Sequence, residues 1–258
     1  MDPPFPPRYH ERMSDALSSP APSAPVPDPA RLVARLGHVR EWIFDLDNTL
    51  YPASNALFAQ IEERMAAYMM RVFGLRRSDA QKLRREYWRD HGTTLAGLMR
   101  NHRTDPDAFL DEVHRIDFSV LRPDPRLRAA MLALPGRRIV FTNGTSDYAR
   151  RVIAALGLDG CFEAVYGIRE AFYTPKPLPA AYQRIFGADG LNPRRAAMFE
   201  DDPRNLEVPH ALGVACVLVG PEARPDLPHV DFATDDLAGF VSRLGPLLRA
   251  APRLESGA

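Results

Sequence analysis

From Pro125 onward, short apolar runs alternate with helical patterns, and this alternation constrains the fold of the 258-residue chain more than any other feature. The spacing predicts a helix to Leu134, a Pro135-Gly136 turn, a strand from Arg138 to Thr142, a helix from Ser146 to Leu156 and a strand at Ala164–Tyr166. A helix after Pro179, a strand from Ala196 to Glu200, a helix from Arg204 to Leu212, a strand from Ala215 to Val219 and an amphipathic helix from Asp236 complete the series. An earlier helix over Pro29–Leu36 and a strand at Glu41–Phe44 precede it. Strands that alternate with helices form parallel sheets wrapped by helices on both faces, so the fold class is α/β.

Between the first strand and the rest of the sheet the pattern is purely helical. Leu57, Ile61, Met65, Tyr68, Met69 and Val72 recur at helical spacing up to Gly74, and two or three more helices are predicted between Ser78, read as an N-cap, and Arg115. Residues 55–117 therefore read as a small all-helical insertion, with 31–54 and 118–258 forming the core. Residues 1–30, with Pro3-Pro4-Phe5-Pro6-Pro7 and the Pro20 to Pro27 run, read as a disordered Pro-rich tail without the apolar run of a signal peptide. Lys plus Arg and Asp plus Glu balance at 33 each, which argues against a nucleic-acid polymer or membrane surface as partner. No apolar run reaches the roughly 18 residues of a membrane helix. Two separated cysteines, Cys161 and Cys216, suit a reducing cytoplasm and small core positions. The seven histidines form no metal-binding pair at H-x-H or H-x-x-x-H spacing.

In parallel sheets, ligands bind beyond the carboxyl ends of the strands, and three strands here end in reactive groups: Asp45-Leu46-Asp47, Thr142-Asn143-Gly144 and Glu200-Asp201-Asp202. Phosphoryl transfer is the reaction these groups suit. Asp45 can act as a carboxylate nucleophile, and Asp47, two residues on, can protonate the leaving alcohol and later activate water as general acid/base. Thr142 and the amides of Asn143 and Gly144 can hold phosphoryl oxygens, and Lys176 can offset the charge shared by Asp45 and the phosphate. Mg²⁺ fits a site of few carboxylates plus phosphate and water.

Four segments, Phe44-Asp45-Leu46-Asp47-Asn48-Thr49-Leu50, Phe141-Thr142-Asn143-Gly144, Pro175-Lys176-Pro177 and Phe199-Glu200-Asp201-Asp202, resemble in sequence and order the motifs of the haloacid dehalogenase superfamily of phosphohydrolases. Within it, Asp45 to Pro52, the helical insertion and the Thr142-Asn143-Gly144 form are most similar to the pyrimidine 5'-nucleotidase branch. The resemblance implies a Rossmann-like core with the helical insertion as a cap domain that closes over the site and selects the leaving group. It also implies Asp45 as nucleophile and Asp47 as general acid/base, with Mg²⁺ held by Asp45, the Asp47 backbone carbonyl and Asp201. Thr142 and Lys176 would contact the phosphoryl group. Dehalogenase members lack the second aspartate, so Asp47 favours phosphate esters over carbon–halogen bonds. The expected activity is dephosphorylation of pyrimidine nucleoside 5'-monophosphates, UMP or CMP, by a cytoplasmic monomer or homodimer.

Other readings stay open. The chemistry equally suits a sugar phosphate, phosphoglycolate or another small phosphometabolite, or a mutase, and a catalytically silent partner-binding scaffold is the non-enzymatic alternative. Lys176 could be a solvated loop residue; Tyr51 could contact the leaving group. Phe58, Tyr68, Tyr87 and Trp88 read mainly as cap core, and Arg84, Arg85 and Arg89 as a solvated face. In the acidic triplet, Asp202 before Pro203 reads as a helix cap. Counting back from Asn205 as the family pattern does puts Asp201 at the metal position and Glu200 at the preceding acid, pairing with Lys176. A one-residue shift would give the metal to Asp202.

Overall fold

The computed structural model describes residues 27–250 apart from 222, 224 and 225, so the expected disordered segment lies outside the described residues up to residue 26. Its last residues do not belong to a tail. Asp28 accepts a hydrogen bond from the Ala30 amide and caps α1 (Pro29–Leu36), moving the core boundary two residues earlier.

The core strands are β1 (Glu41–Phe44), β2 (Arg137–Phe141), β3 (Ala164–Tyr166), β4 (Ala196–Glu200), β5 (Ala215–Val219) and β6 (Phe232–Thr234). They form one all-parallel sheet in the order β3-β2-β1-β4-β5-β6. The helices between them are α6 (Pro125–Ala133), α7 (Ser146–Ala155), α8 (Pro179–Asp189) and α9 (Arg204–Ala211), and α10 (Leu237–Ala250) follows β6. The fold class expected from the sequence is the one observed. Successive residues of a strand point to opposite faces, and the strands are apolar on both. Trp42, Phe44, Ala197, Phe199, Ala215 and Val217 join the cluster under α1, α6, α7 and α10. Ile43, Ile139, Phe141, Met198, Cys216 and Leu218 join the cluster under α8 and α9. Phe44 and Phe199 stack at 4.7 Å between ring centroids, an arrangement that adds about 1 kcal/mol to their burial. That stack lies one residue before the acidic ends of β1 and β4.

Strand order reverses at β1, with β2 on one side and β4 on the other, which opens a crevice at their carboxyl ends. β2 spans Arg137–Phe141 and thus starts and ends one residue before the expected strand, leaving Thr142 in the loop. β6 was not anticipated. Its three residues carry too short a pattern to stand out, and it is defined by pairing with β5.

The insertion between β1 and β2 folds as α2 (Leu57–Phe73), α3 (Arg77–His91), α4 (Thr94–His102) and α5 (Pro106–Val113). Ser78 is inside α3 rather than its N-cap: the cap position is Arg76, whose guanidinium reaches Asp79 in the first turn at 2.8 Å. Tyr68 packs edge-on against Phe109 at 5.0 Å, and Phe58 and Tyr87 are partly buried in the same cluster, as expected for cap core. Arg84 is not part of a solvated face. It is half-buried and pairs with Glu62 at 2.7 Å, tying α3 to α2, whereas Arg85 and Arg89 are exposed. Among the described residues, no helix is long and apolar enough to cross a membrane. Both cysteines are free and buried.

Candidate active site

The ends of β1, β2 and β4 and the loop before α8 converge on Lys176. Its ammonium donates to Asp45 Oδ1 at 2.7 Å and to Glu200 Oε2 at 2.6 Å, and it is 1% exposed. It is therefore no solvated loop residue. Asp45 directly follows β1, and its amide continues the ladder by donating to the Phe199 carbonyl at 2.9 Å. Lys176 is itself aimed by Asn143: the Asn143 amide donates to the Lys176 carbonyl at 3.1 Å, and the Lys176 backbone N–H donates to Asn143 Oδ1 at 2.8 Å. The phosphate-binding role expected of Asn143 rests on its backbone N–H, and its side chain holds the lysine loop.

Thr142 is buried, and its hydroxyl oxygen accepts the Gly144 amide at 2.9 Å, so that amide is used inside the loop. A Cβ on Gly144 would lie 2.9 Å from Tyr148 Cδ1, so the glycine admits an aromatic ring. Tyr148, on α7, was not picked out from the sequence, where its spacing with Ala149 and Val152 reads as core. Its hydroxyl donates to Asp47 Oδ1 at 2.6 Å, and the buried Tyr51 hydroxyl donates to the same oxygen at 2.5 Å. Tyr51 thus touches Asp47 rather than standing at the mouth of the site.

The three acids of the triplet have separate partners. Glu200, 1% exposed, accepts Lys176 on Oε2 and the Asp201 and Asp202 amides on Oε1, both at 3.2 Å. Asp202 accepts the Arg204 amide at 3.0 Å and holds the Arg204 guanidinium through both oxygens, but α9 begins at Arg204 with Pro203 at its cap position, so Asp202 stands one residue before the cap that the sequence suggested. The Asp201 carboxylate accepts the Asn48 side-chain amide at 3.4 Å. Asn48, which the sequence reading left without a role, takes a left-handed φ of 60° there.

Oxygens of Asp45, Glu200 and Asp201 lie within 4.8 Å of one another, a grouping that could hold a metal ion. Asp45, Asp47, Glu200 and Asp201 face a single buried lysine, and burial is the largest influence pushing Asp45, Asp47 and Asp201 above the usual carboxylate range. Buried oxygens of Asn48, Thr49 and Asn205 have no hydrogen-bond partner among the described residues. Excess negative charge and spare oxygen ligands are what a hard divalent cation requires.

The cap is seated on this site at the carboxyl end of α3. The Arg204 guanidinium lies over Trp88 at 3.5 Å from the ring centroid. Gly92, at φ 86°, comes so near the lysine loop that a Cβ would be 3.2 Å from Pro177 and 3.3 Å from the Lys176 carbonyl oxygen. On the other side, Arg169 joins core to cap by pairing with Asp107 and Asp111 of α5 at 2.7 and 3.0 Å.

A family profile described as haloacid dehalogenase-like hydrolase matches residues 42–213. The chain belongs to that family. The match includes the whole helical insertion, the three strand-end segments and the Lys176 loop. A curated relative, phosphate metabolism protein 8 of Saccharomyces cerevisiae, is 27% identical over 198 residues, covering 70% of this chain and 59% of that protein. The chain thus spans well under two thirds of that relative. Among solved structures, the L-2-haloacid dehalogenase of Xanthobacter autotrophicus with chloropropionic acid covalently bound aligns over 83% of this chain and 100% of its own, with a TM-score of 0.53 and 15% identity. The L-2-haloacid dehalogenase PA0810 gives a TM-score of 0.50 and 19% identity over the same shares. At these identities the structural likeness establishes the family's fold, not a shared substrate.

Proposed function

We propose that this family member is a Mg²⁺-dependent phosphomonoesterase acting through an aspartyl-phosphate at Asp45. The observation that carries the proposal is Asp47, a second carboxylate held by two hydroxyls beside the Asp45–Lys176 pair. Displacing a halide needs no proton donor, because the halide leaves as a stable anion. An alkoxide leaving from a phosphate ester does need one, and Asp47 supplies it.

In the first step an Asp45 carboxylate oxygen bonds to phosphorus, the bond from phosphorus to the ester oxygen breaks, and the Asp47 proton passes to that oxygen. In the second, water bonds to phosphorus while its proton returns to Asp47, and the bond to Asp45 breaks to release phosphate. Lys176 holds Asp45 and offsets charge as the phosphoryl group arrives. Asp45, Asp201 and the Asp47 backbone carbonyl would hold Mg²⁺, which when bound neutralises phosphoryl oxygens. Glu200 is the poorer ligand because its oxygens already serve Lys176 and two amides. Asp201→Asn should therefore raise the Mg²⁺ concentration needed for half-maximal rate by at least about tenfold, in line with loss of a metal contact. Asp202→Ala should cost about 1 kcal/mol of stability through its hydrogen bonds to Arg204 and leave that concentration unchanged. A Mg²⁺ titration of the two variants checks this, and the reverse pattern would shift the ligand to Asp202.

For the substrate we infer pyrimidine nucleoside 5'-monophosphates, supported by the resemblance of Asp45 to Pro52 and of Thr142-Asn143-Gly144 to that branch. The second reading is a smaller phosphate ester, favoured by how closely Trp88 and Gly92 sit on the core. Phosphate release from UMP, CMP, purine nucleotides, sugar phosphates and phosphoglycolate decides between them. UMP or CMP should give the highest kcat/KM; nucleotides at the bottom of the order would discard the first substrate.

A further inference from the structure

Asp47 Oδ1 accepts two hydroxyl donors, Tyr51 at 2.5 Å and Tyr148 at 2.6 Å. A carboxylate oxygen has two lone pairs, and both donors together fill them. We infer that Tyr148, acting with Tyr51, is a positioning residue that fixes the Asp47 carboxyl so that Oδ2 is the oxygen that gives and takes the proton. The inference rests on the phosphomonoesterase reading and goes beyond it by assigning roles to two residues outside the reacting groups.

Tyr148 is built to hold one position. Its amide donates to the Thr145 hydroxyl at 3.2 Å, and its ring packs where any side chain larger than that of Gly144 would intrude. The His114 ring stacks on it at 4.3 Å with an interplanar angle of 6°. Burial pushes His114 down to about 4, so the stacked imidazole is neutral. The imidazole on one side and the glycine on the other fix the ring, and the Tyr148 hydroxyl meets Asp47 at 2.6 Å and the Tyr51 hydroxyl at 3.4 Å. Tyr51 comes from the loop after β1 and Tyr148 from α7, so the two donors fix the carboxyl from separate elements.

The consequence depends on the leaving group. With p-nitrophenyl phosphate the departing phenolate is stable and gains little from a proton, whereas a primary alkyl phosphate departs as an alkoxide and depends on it. All the candidate natural substrates have alcohol leaving groups far more basic than nitrophenol, so the test does not require knowing which is correct. The kcat/KM values, which report only the steps up to formation of the aspartyl-phosphate, are measured for p-nitrophenyl phosphate and for the fastest primary alkyl phosphate of the substrate panel on the same samples of wild type and Tyr148→Phe. Inactive protein then cancels from their ratio. The alkyl-to-aryl ratio should fall about tenfold or more in the variant, as expected for a displaced general acid. Equal losses on both substrates would overturn the positioning role. If Tyr148→Phe yields no folded protein, Tyr51→Phe is read in the same way with the same two outcomes. A wild-type protein that hydrolyses neither substrate would remove the phosphomonoesterase reading itself, whereas an active wild type with an unaltered ratio in the variant removes only this inference.

Discussion

Lys176→Met should abolish turnover and destabilise the fold. The lysine is the cation between Asp45 and Glu200, with contacts of 2.7 and 2.6 Å, and all three side chains are almost wholly buried. Methionine fills similar space but leaves the acids without their shared partner. Breaking a buried pair in this way costs ~3–5 kcal/mol. For a chain of this size that corresponds to a melting midpoint lower by about 10 °C. The deficit should depend on pH in a definite direction. Burial, then Glu200, raise Asp45 to about 8 even with Lys176 present, and loss of the lysine raises it further. A carboxyl whose folded pKa lies above its unfolded value favours folding below the unfolded value and loses that contribution as pH rises toward the folded one. Wild type and variant both lose stability as pH rises toward about 8. Above that only the variant, whose Asp45 lies higher still, goes on losing it, so its deficit should be larger at pH 9 than at pH 6.5. Thermal melts of both proteins at the two pH values in the absence of divalent cations check this. Equal deficits at both would mean that the Lys176 contribution is not electrostatic.

Asp45→Asn should lower kcat by at least ~10⁴-fold, since the amide cannot form the covalent intermediate and the residual rate comes from binding and positioning alone. The fold should survive. Asn is isosteric, its side-chain oxygen still accepts from Lys176, and it removes one of the buried acids that crowd that lysine. Without divalent cation the variant should melt at or above the wild-type temperature, which separates a chemical loss from unfolding. A variant as stable as wild type that keeps activity within about tenfold would rule out Asp45 as nucleophile.

Much of this site was legible because parallel strands carry their chemistry at one end. Asp45, Thr142 and Glu200 each stand at or just beyond the end of a strongly apolar run, and Lys176 lies between prolines that bound its loop. The roles of neighbouring groups were less legible. The Asn143 side chain closes a pair of hydrogen bonds with the Lys176 backbone, a partner 33 residues away. Gly144 lies where a Cβ would meet the Tyr148 ring. Tyr148 was hidden because a buried aromatic on a helix has the spacing of core whether or not its hydroxyl meets a carboxylate. Trp88 over Arg204 joins the insertion to the start of α9, and no local pattern encodes such a contact. The fold was more legible than its site because periodicity reports burial, while hydrogen-bond partners depend on where distant segments meet.

The central claim is that Asp45 carries the phosphoryl group during turnover. Wild type mixed with Mg²⁺ and its best phosphomonoester, quenched in acid during the steady state and digested, should yield the Asp45 peptide with one added phosphoryl group, labile to base and lost in Asp45→Asn. Turnover at the full rate with no phosphorylated peptide, or with the phosphoryl group on another residue, would contradict the account.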